Sequence, residues 1–292
     1  MTDNSAVANK IESIAVLGAG TMGHGIVQVA ALAGFRVTMR DVDLDAVARG
    51  VRAIERNLDK GIQRAKLTEA ERDNALQHIR GTTQMSEAAK ADLIIEAVPE
   101  VLALKQDLLR ELESLRETPF IFATNTSSLS IAAIAQASRQ PANVIGMHFF
   151  NPVHIMRLLE IVVGPETSEN TLATAHEVAK RLKKEAITVK DVPGFASSRL
   201  GIALGMEAIR MVEQGVASPA DIDKAMELGY NHPLGPLRLT DLVGLDVRLN
   251  IAEYLHQTLN AETFRPPALL RQMVSEGKLG KKTGQGFYSW ED

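Results

Sequence analysis

The sequence predicts an α/β protein in which a doubly wound, mostly parallel sheet is followed by an all-α domain. Over about 190 residues, short runs of apolar and β-branched residues alternate with helical patterns, as a parallel sheet with helices on both faces requires. Beyond Pro193 and Gly194 the patterns are helical only. We therefore expect a sheet domain at residues 1–190, interrupted by a charged helical insertion at about 43–80, and a helical domain at residues 191–292.

The bulk composition excludes several classes of protein. The net charge of −4 offers no basic excess to attract a nucleic acid or an anionic membrane surface, and no apolar run reaches the ~20 residues that span a bilayer. The chain has no cysteine, which rules out disulfides and thiolate ligands and suits a cytoplasmic location. No histidine pair at helical spacing lies beside carboxylates, so no metal site is expected. Met1–Lys10 is small and polar and is expected to be a frayed tail.

The first structural unit in the chain has the layout of a dinucleotide-binding βαβ unit. Ile11–Leu17 has the pattern of a strand, and the glycine motif Gly18–Gly23 follows directly. A helical pattern then runs to Gly34, and a second strand, Phe35–Arg40, ends at Asp41. A glycine motif alone would be a weak signal, but here all parts occur in the order of the Rossmann-type fingerprint.

Each part of this unit has a physical task. Gly18 permits the tight turn, Gly20 lets the backbone approach a pyrophosphate, and Gly23 lets helix and strand pack closely. The helix N-terminus offers N–H groups and partial positive charge to the phosphates. Asp41 is placed to accept the hydroxyls of the adenosine ribose, which favours NAD. Arg40 could pair with a 2′-phosphate, so NADP is not excluded, although Asp41 would repel that phosphate.

The helical insertion carries a stripe of basic residues. Glu55 and Asp59 lie beside this stripe in the sequence, so a solvated helix face with ion pairs is one interpretation. A grip for the phosphates of a large anionic substrate is the other. The stripe recurs every four residues, which keeps it on one helix face, and consists of Arg52, Arg56, Lys60 and Arg64.

A polar cluster follows a later strand of the sheet. Ala91–Val98 has the pattern of a buried strand, Glu100–Arg116 that of a helix, and Phe120–Ala123 that of the next strand. Thr124–Ser128 comes directly afterwards, at the carboxyl end where open parallel sheets bind ligands. These side chains could equally cap the helix that begins near Ser130, and we expect one of them to do so.

Two apolar runs joined by a proline-containing turn, Val144–Phe149 and Leu158–Val163, are expected to form a hairpin. If they pair about His154, then His148 and Glu160 face each other at about 4.5–5.5 Å. A carboxylate beside an imidazole is the geometry of an oriented general base. The alternative is a core histidine beside an edge-strand charge.

The rest of the chain is predicted to be helical apart from one strand, Ala186–Val189, which follows a helix at about 168–184. Ser218, followed by a proline, has the pattern of an N-cap. A bundle of this kind could cover a substrate cleft or form a dimer surface, and the pattern does not separate the two. The expected helices are Phe195–Gln214, Ser218–Gly229, Leu237–Leu259 and Ala268–Glu276, before a glycine-rich segment at Gly280–Tyr288.

Together these motifs resemble the 3-hydroxyacyl-CoA dehydrogenase family, in length and layout its short bacterial 3-hydroxybutyryl-CoA dehydrogenases. The resemblance covers nearly the whole chain after the N-terminal tail. It rests on several motifs in the family's order: Gly18–Gly23, Glu96–Glu100, Asn125–Ser128, His148–Pro152, Pro193–Phe195, Asp241–Asp246 and Gly280–Tyr288.

The resemblance implies reversible oxidation of an (S)-3-hydroxyacyl-CoA to the 3-oxoacyl-CoA with NAD, a reaction of fatty-acid and lipid metabolism. It also implies a homodimer joined through the helical domain. His148 would be the base, Glu160 its partner, and Ser127 a substrate contact assisted by Ser198. The implied cofactor contacts are Gly18, Gly20, Thr21, Met22, Gly23, Asp41, Ala97, Val98, Glu100, Lys105, Asn125, Ser127 and Asn151. The implied substrate contacts are Ser127, Asn151, Lys60, Arg64 and Ser198.

One residue departs from the family pattern. The family usually has asparagine where this chain has Ser198, and serine offers one hydroxyl in place of an amide. A changed acyl preference or a reduced rate would follow. Two other functions stay open: a sister dehydrogenase of a free hydroxy acid or sugar acid, which would not need the basic stripe, and a nucleotide-binding protein that has lost catalysis, of which Ser198 would be the mark.

Overall fold

The computed structural model describes residues 10–290, which fall into two compact units that divide between Asp191 and Val192. The expected frayed tail, apart from Lys10, lies outside the described residues. No helix within residues 10–290 is both long enough and apolar enough to cross a membrane.

Within the described residues of the first unit, eight strands form a single sheet in the order β3-β2-β1-β4-β5-β6-β7-β8. Neighbouring strands are parallel except β6 and β7, which are antiparallel. The prediction of a doubly wound, mostly parallel sheet is confirmed. The strands are β1 (Ser13–Leu17), β2 (Arg36–Arg40), β3 (Ile79–Thr82), β4 (Leu93–Glu96), β5 (Ile121–Thr124), β6 (Val144–Phe149), β7 (Leu158–Val163) and β8 (Glu185–Lys190).

Helices connect the strands and bury their apolar faces against the sheet. The central strands are buried along their whole length, as all four residues of β4 and of β5 are, so they have the continuous apolar pattern of parallel strands covered on both faces. The helices of this unit are α1 (Thr21–Leu32), α2 (Leu44–Gln63), α3 (Glu69–Gln77), α4 (Met85–Ala88), α5 (Leu102–Leu115), α6 (Ile131–Ala135) and α7 (Glu169–Arg181).

The helical insertion ends earlier than the sequence indicated. Residues 79–80, predicted to be helical, begin β3, which pairs in parallel with β2 through Val37–Ile79 and Arg40–Thr82. The four residues of β3 include arginine, glycine and threonine and are only partly buried or exposed. Such a sequence has no apolar run and no strict alternation, so pairing with a strong neighbour decides its structure.

The second unit consists mainly of helices. The Ser218 hydroxyl accepts the N–H of Asp221, as expected of the N-cap. The single helix predicted for Leu237–Leu259 is instead two helices separated by Gly244, whose φ of +106° is readily adopted only by glycine. The helices are α8 (Ser197–Glu213), α9 (Pro219–Gly229), α10 (Pro236–Val243), α11 (Leu245–Leu259) and α12 (Ala268–Ser275).

A buried carboxylate anchors the C-terminal segment to this helical core. Asp241, on α10, is 1% exposed. It accepts the N–H groups of Phe287 and Tyr288, both at 2.9 Å, and the indole N–H of Trp290 at 2.8 Å. Asp223 accepts the Tyr288 hydroxyl at 2.7 Å. Hydrogen bonds to a charged acceptor are stronger than neutral ones, so these two aspartates fix the glycine-rich segment in place.

Replacing Asp241 by alanine is expected to destabilise the second unit by about 2–4 kcal/mol, because three part-buried N–H donors lose a charged acceptor. Urea unfolding followed by fluorescence of the chain's one tryptophan, Trp290, measures this loss. Asp246→Ala is the control, since Asp246 pairs with Lys282 at the surface and such pairs contribute below about 1 kcal/mol. Equal losses in the two variants would contradict the anchoring role.

Candidate active site

The hairpin of β6 and β7 brings His148 and Glu160 together. The register pairs Gly146 with Val162 and His148 with Glu160, which is the symmetry about His154 that the sequence predicted. The Nδ1 atom of His148 lies 2.7 Å from Oε2 of Glu160. The edge-strand alternative for Glu160 is wrong, because β7 is covered by β8 on its other side.

Burial and hydrogen bonding favour one tautomer of His148. Glu160 is fully buried and His148 is 7% exposed. A carboxylate oxygen facing Nδ1 favours the tautomer in which Nδ1 carries the imidazole proton and Nε2 carries the lone pair. An imidazole in this tautomer can take a proton at Nε2 while the carboxylate stabilises the positive charge that forms.

Residues next to His148 hold the end of β6. The Asn125 side-chain oxygen accepts the backbone N–H of Phe149 at 2.8 Å, which ties the carboxyl end of β6 to the end of β5. The Phe150 ring packs against the imidazole with a centroid distance of 4.5 Å. Asn151 is exposed and precedes a cis peptide bond to Pro152. The imidazole is thus oriented by its carboxylate partner, by a neighbouring ring and by a fixed backbone.

Glu100 holds the polar loop that contains Ser127. Its Oε1 atom accepts the hydroxyl of Thr126 at 2.5 Å, the N–H of Ser127 at 3.0 Å, and the N–H and hydroxyl of Ser128 at 3.1 and 3.0 Å. The Ser127 hydroxyl oxygen lies 3.5 Å from the same carboxylate atom. One carboxylate therefore sets the conformation of the loop at the carboxyl end of β5.

The charge of Glu100 is maintained by its surroundings. Burial alone would raise the pKa of Glu100, but the charge of Lys105 and the hydrogen bonds from Thr126, Lys105 and Ser127 together hold it below its ordinary value. The carboxylate is therefore ionised at neutral pH. The expected cap within Thr124–Ser128 is wrong, because the cap of α6 is the Ser130 hydroxyl, which accepts the Ala133 N–H.

A fully buried lysine forms ion pairs with Glu96 and Glu100. Lys105 has no exposed surface; its Nζ atom lies 2.8 Å from both oxygens of Glu96 and 3.1 Å from Glu100 Oε2. Glu96 also accepts the N–H of Val98 and the hydroxyl of Thr124, each at 2.7 Å. Sequence reasoning missed this use of Glu96. The available signal was a carboxylate in an otherwise apolar buried strand, which requires a cationic partner.

The glycine motif has the space and the backbone shape that a dinucleotide requires. Gly18 has φ +100°, and a Cβ there would lie 2.7 Å from the carbonyl oxygen of Ala97. A Cβ on Gly23 would collide with the carbonyl oxygen of Gly18. At Gly20, by contrast, a Cβ would meet no described atom within 4 Å. The open position at the start of α1 is where a pyrophosphate must approach.

The end of β2 presents Asp41 beside this loop. One oxygen of Asp41 accepts the N–H of Ala19 and the other that of Val42, both at 2.7 Å. Each oxygen retains a second lone pair for a ribose hydroxyl. Arg40 donates from Nε to the carbonyl of Thr83 at 3.3 Å. These residues fit a dinucleotide whose adenosine ribose carries two free hydroxyls.

The remaining predicted site residues are placed as follows. Thr21 and Met22 are the first two residues of α1, and Ala97 and Val98 follow β4 directly. Ser198 is the second residue of α8, in the second unit. Their contacts with cofactor or substrate stay predictions.

The basic stripe, which runs along α2 and ends at its C-cap residue Arg64, is not neutralised by the acids beside it. Asp59 pairs instead with Arg72 at 2.8 Å. Within residues 10–290, none of the four stripe cations forms an ion pair, and Lys60 and Arg64 are exposed. The interpretation of the stripe as a solvated face with ion pairs is therefore wrong in one respect, because its cations do not form the expected pairs. Their positive charge stays available to a ligand.

Comparison with known proteins extends these observations to the whole chain. Residues 13–192 match the family model described as "3-hydroxyacyl-CoA dehydrogenase, NAD binding domain" and residues 194–290 match the corresponding C-terminal domain. A probable 3-hydroxybutyryl-CoA dehydrogenase of Bacillus subtilis is 44% identical, over 97% of this chain and 99% of the relative. A second probable 3-hydroxybutyryl-CoA dehydrogenase, from Deinococcus radiodurans, is 45% identical over 94% of this chain and 99% of the relative. The crystal structure of (S)-3-hydroxybutyryl-CoA dehydrogenase from Ralstonia eutropha is 41% identical, with a TM-score of 0.94, over 97% of this chain and all of that one.

Removing the buried cation should be costly. Lys105→Met leaves the carboxylate of Glu96 uncompensated and is expected to lower the free energy of unfolding by about 3–5 kcal/mol. A second variant, Lys105→Met combined with Glu96→Gln, should recover part of this loss because it no longer buries an unpaired charge. Urea denaturation measures both. Lys90→Met is the control, since Lys90 pairs with Glu87 while 69% exposed. A Lys105→Met protein as stable as this control would contradict the assignment.

Proposed function

Because the chain belongs to the 3-hydroxyacyl-CoA dehydrogenase family, we propose that it reversibly oxidises a short-chain (S)-3-hydroxyacyl-CoA, such as 3-hydroxybutyryl-CoA, to the 3-oxoacyl-CoA. The observation that carries this proposal is the buried hydrogen bond of 2.7 Å between His148 and Glu160. The open glycine loop and Asp41 at the end of β2 support NAD as the cofactor, which accepts the hydride from C3 of the substrate when bound.

In the proposed reaction, His148 moves the proton. Its Nε2 atom takes the proton of the 3-hydroxyl group as the C3–H bond breaks, and it returns that proton in the direction of reduction. Glu160 keeps Nδ1 protonated and stabilises the imidazolium, without taking the proton itself. Acid–base catalysis by a positioned group contributes roughly 10²–10⁴-fold.

Ser127 is the proposed contact to the reacting oxygen or to the thioester carbonyl, assisted by Ser198. Its loop is held by the ionised Glu100, which fixes the backbone from which the hydroxyl projects. A prepositioned donor loses less entropy when substrate binds. Lys105, being fully buried, would act on the cofactor side through Glu100.

The assembly and location are further proposals. We expect a homodimer joined through the helical unit, whose surface carries the apolar side chains of Leu242 and Val243, 46% and 41% exposed. A chain without cysteine suits a reducing cytoplasm. Both stay predictions.

His148→Gln is expected to lower the turnover of acetoacetyl-CoA with NADH by about 10²–10⁴-fold, because glutamine cannot take up the proton. Binding of NADH, followed by its fluorescence, should not change. The control is His176→Gln, since His176 is half-buried on α7 and its ring bonds to the Thr188 hydroxyl. Turnover of His148→Gln close to that of the wild-type protein would refute the assignment of His148 as the base.

Asp41→Ser should shift the ratio of kcat/KM values for NADPH and NADH by about tenfold toward NADPH, because it removes the charge that repels a 2′-phosphate while Arg40 remains. Steady-state kinetics with both cofactors measures the ratio. No change in the ratio would mean that Asp41 does not face the adenosine ribose.

A further inference from the structure

The helical unit encloses an arginine that has no partner among the described residues. Arg248, on α11, is only 7% exposed, and within residues 10–290 its guanidinium forms neither an ion pair nor a hydrogen bond. Arginine is almost never buried to this degree unless an anion compensates its charge. The guanidinium is therefore a candidate for binding an anionic group that the chain itself does not supply.

The two carboxylates nearest to Arg248 in the sequence have other partners. Asp246 pairs with Lys282, and Glu253 pairs with Arg271. Burial lowers the pKa of Arg248 to about 10, and no charged group counters this effect. The guanidinium is still protonated at pH 7, so it keeps a full positive charge inside the helical unit.

Two glycines of α8 leave space beside this guanidinium. A Cβ on Gly201 would lie 3.4 Å from the Nη1 atom of Arg248, and a Cβ on Gly205 would lie 3.9 Å from the same atom. Alanine would fill this space, and any larger side chain would press on the guanidinium. Glycine weakens the interior of a helix relative to alanine, so this face of α8 is open at a cost to the helix.

The tip of the guanidinium can reach a ligand. Among the nitrogen atoms of Arg248, only Nε is fully enclosed without a partner. The two terminal nitrogens have no partner within residues 10–290 either, so they are the ones that retain contact with solvent. A guanidinium with both terminal N–H groups available binds a carboxylate through two parallel hydrogen bonds.

Ser198, the proposed substrate contact, lies on the same face of α8 as the two glycines. Gly201 and Gly205 follow Ser198 by three and seven residues, and these spacings keep all three positions on one helix face. With a rise of about 1.5 Å per residue, Gly201 lies about 4.5 Å along the axis from Ser198. A carbon chain whose C3 oxygen binds Ser198 can therefore extend along this face toward Arg248.

We propose that Arg248 is a specificity-determining residue that binds a carboxylate at the far end of the acyl chain, so that the preferred substrate is the 3-hydroxyacyl-CoA of a dicarboxylic acid. This inference rests on the proposed function and deepens it by naming the substrate class. Three carbon–carbon bonds of about 1.5 Å each separate C3 from C6, a span comparable to that between Ser198 and Gly201. A six-carbon acyl chain with its carboxylate at C6 is thus the shortest that fits.

Steady-state kinetics with NADH and two substrates of equal length tests this proposal. 3-Oxoadipyl-CoA ends in a carboxylate and 3-oxohexanoyl-CoA ends in a methyl group. The wild-type protein should show a kcat/KM about ten- to hundredfold higher for 3-oxoadipyl-CoA, as expected from hydrogen bonds between charged groups. Equal values, or a preference for 3-oxohexanoyl-CoA, would overturn the inference alone. Turnover of neither substrate would contradict the proposed function and the inference with it.

Arg248→Met removes the charge and keeps an unbranched side chain. It should lower kcat/KM for 3-oxoadipyl-CoA about ten- to hundredfold and leave that for 3-oxohexanoyl-CoA unchanged. Arg248→Lys should retain part of the preference, because it keeps a charge without the planar fork. Arg265→Met is the matched control, since Arg265 pairs with Glu262 while its side chain is 63% exposed. An equal loss for both substrates in Arg248→Met would contradict the proposal.

Two further measurements separate this role from a structural one. Replacing an uncompensated buried charge by an apolar side chain is neutral or stabilising, so the midpoint of urea unfolding should not fall in Arg248→Met. A lower midpoint would show that Arg248 stabilises the fold and would count against the proposal. Sedimentation equilibrium tests whether a carboxylate of a second copy is the partner instead. Weaker self-association of Arg248→Met, with an unchanged ratio of the two kcat/KM values, would overturn the inference.

Discussion

The antiparallel register of β6 and β7 is the constraint on which the proposed catalytic pair depends. Successive residues of a strand point to opposite faces, so a slip of one residue would place Glu160 on the wrong side of the sheet. Gly146 contributes to this register, since a Cβ there would lie 2.7 Å from the Cβ of Val162. Strand β8 pairs with the other edge of β7, and Glu160 is shielded from water. A short stretch of backbone pairing thus sets the distance between a base and the acid that orients it.

Buried carboxylates with full sets of donors recur through the molecule. Glu96 takes up Lys105, Thr124 and a backbone N–H, and Asp241 accepts three N–H groups of the C-terminal segment. In a medium of low dielectric constant, such a charge is tolerated only when its lone pairs are satisfied. Each carboxylate therefore favours one local arrangement over its competitors. Glu100, although partly exposed, fixes the loop Thr126–Ser128 in a comparable way by accepting several of its donors.

Local sequence was sufficient to predict those parts of the structure that depend on residues close together in the chain. The hairpin, the glycine loop and the Ser218 cap each rest on residues within about twenty positions, and their predicted geometry is confirmed. It was insufficient where distant partners decide. The short strand β3 forms because β2 pairs with it. Asp59 forms its ion pair with Arg72 on α3 and not with a cation of its own helix. The break at Gly244 also escaped prediction, because a glycine within a helical pattern is often accommodated without a break.

The three glycines of the loop after β1 answer to different requirements. Gly18 and Gly23 are needed by the chain itself, because any side chain there meets backbone atoms. Gly20 faces open space, so a side chain there would clash only with a bound ligand. A lineage that abandoned its dinucleotide while keeping the fold could therefore substitute Gly20 and retain the other two. In a set of related sequences, the identity of that one residue would then distinguish cofactor users from proteins that have merely inherited the architecture.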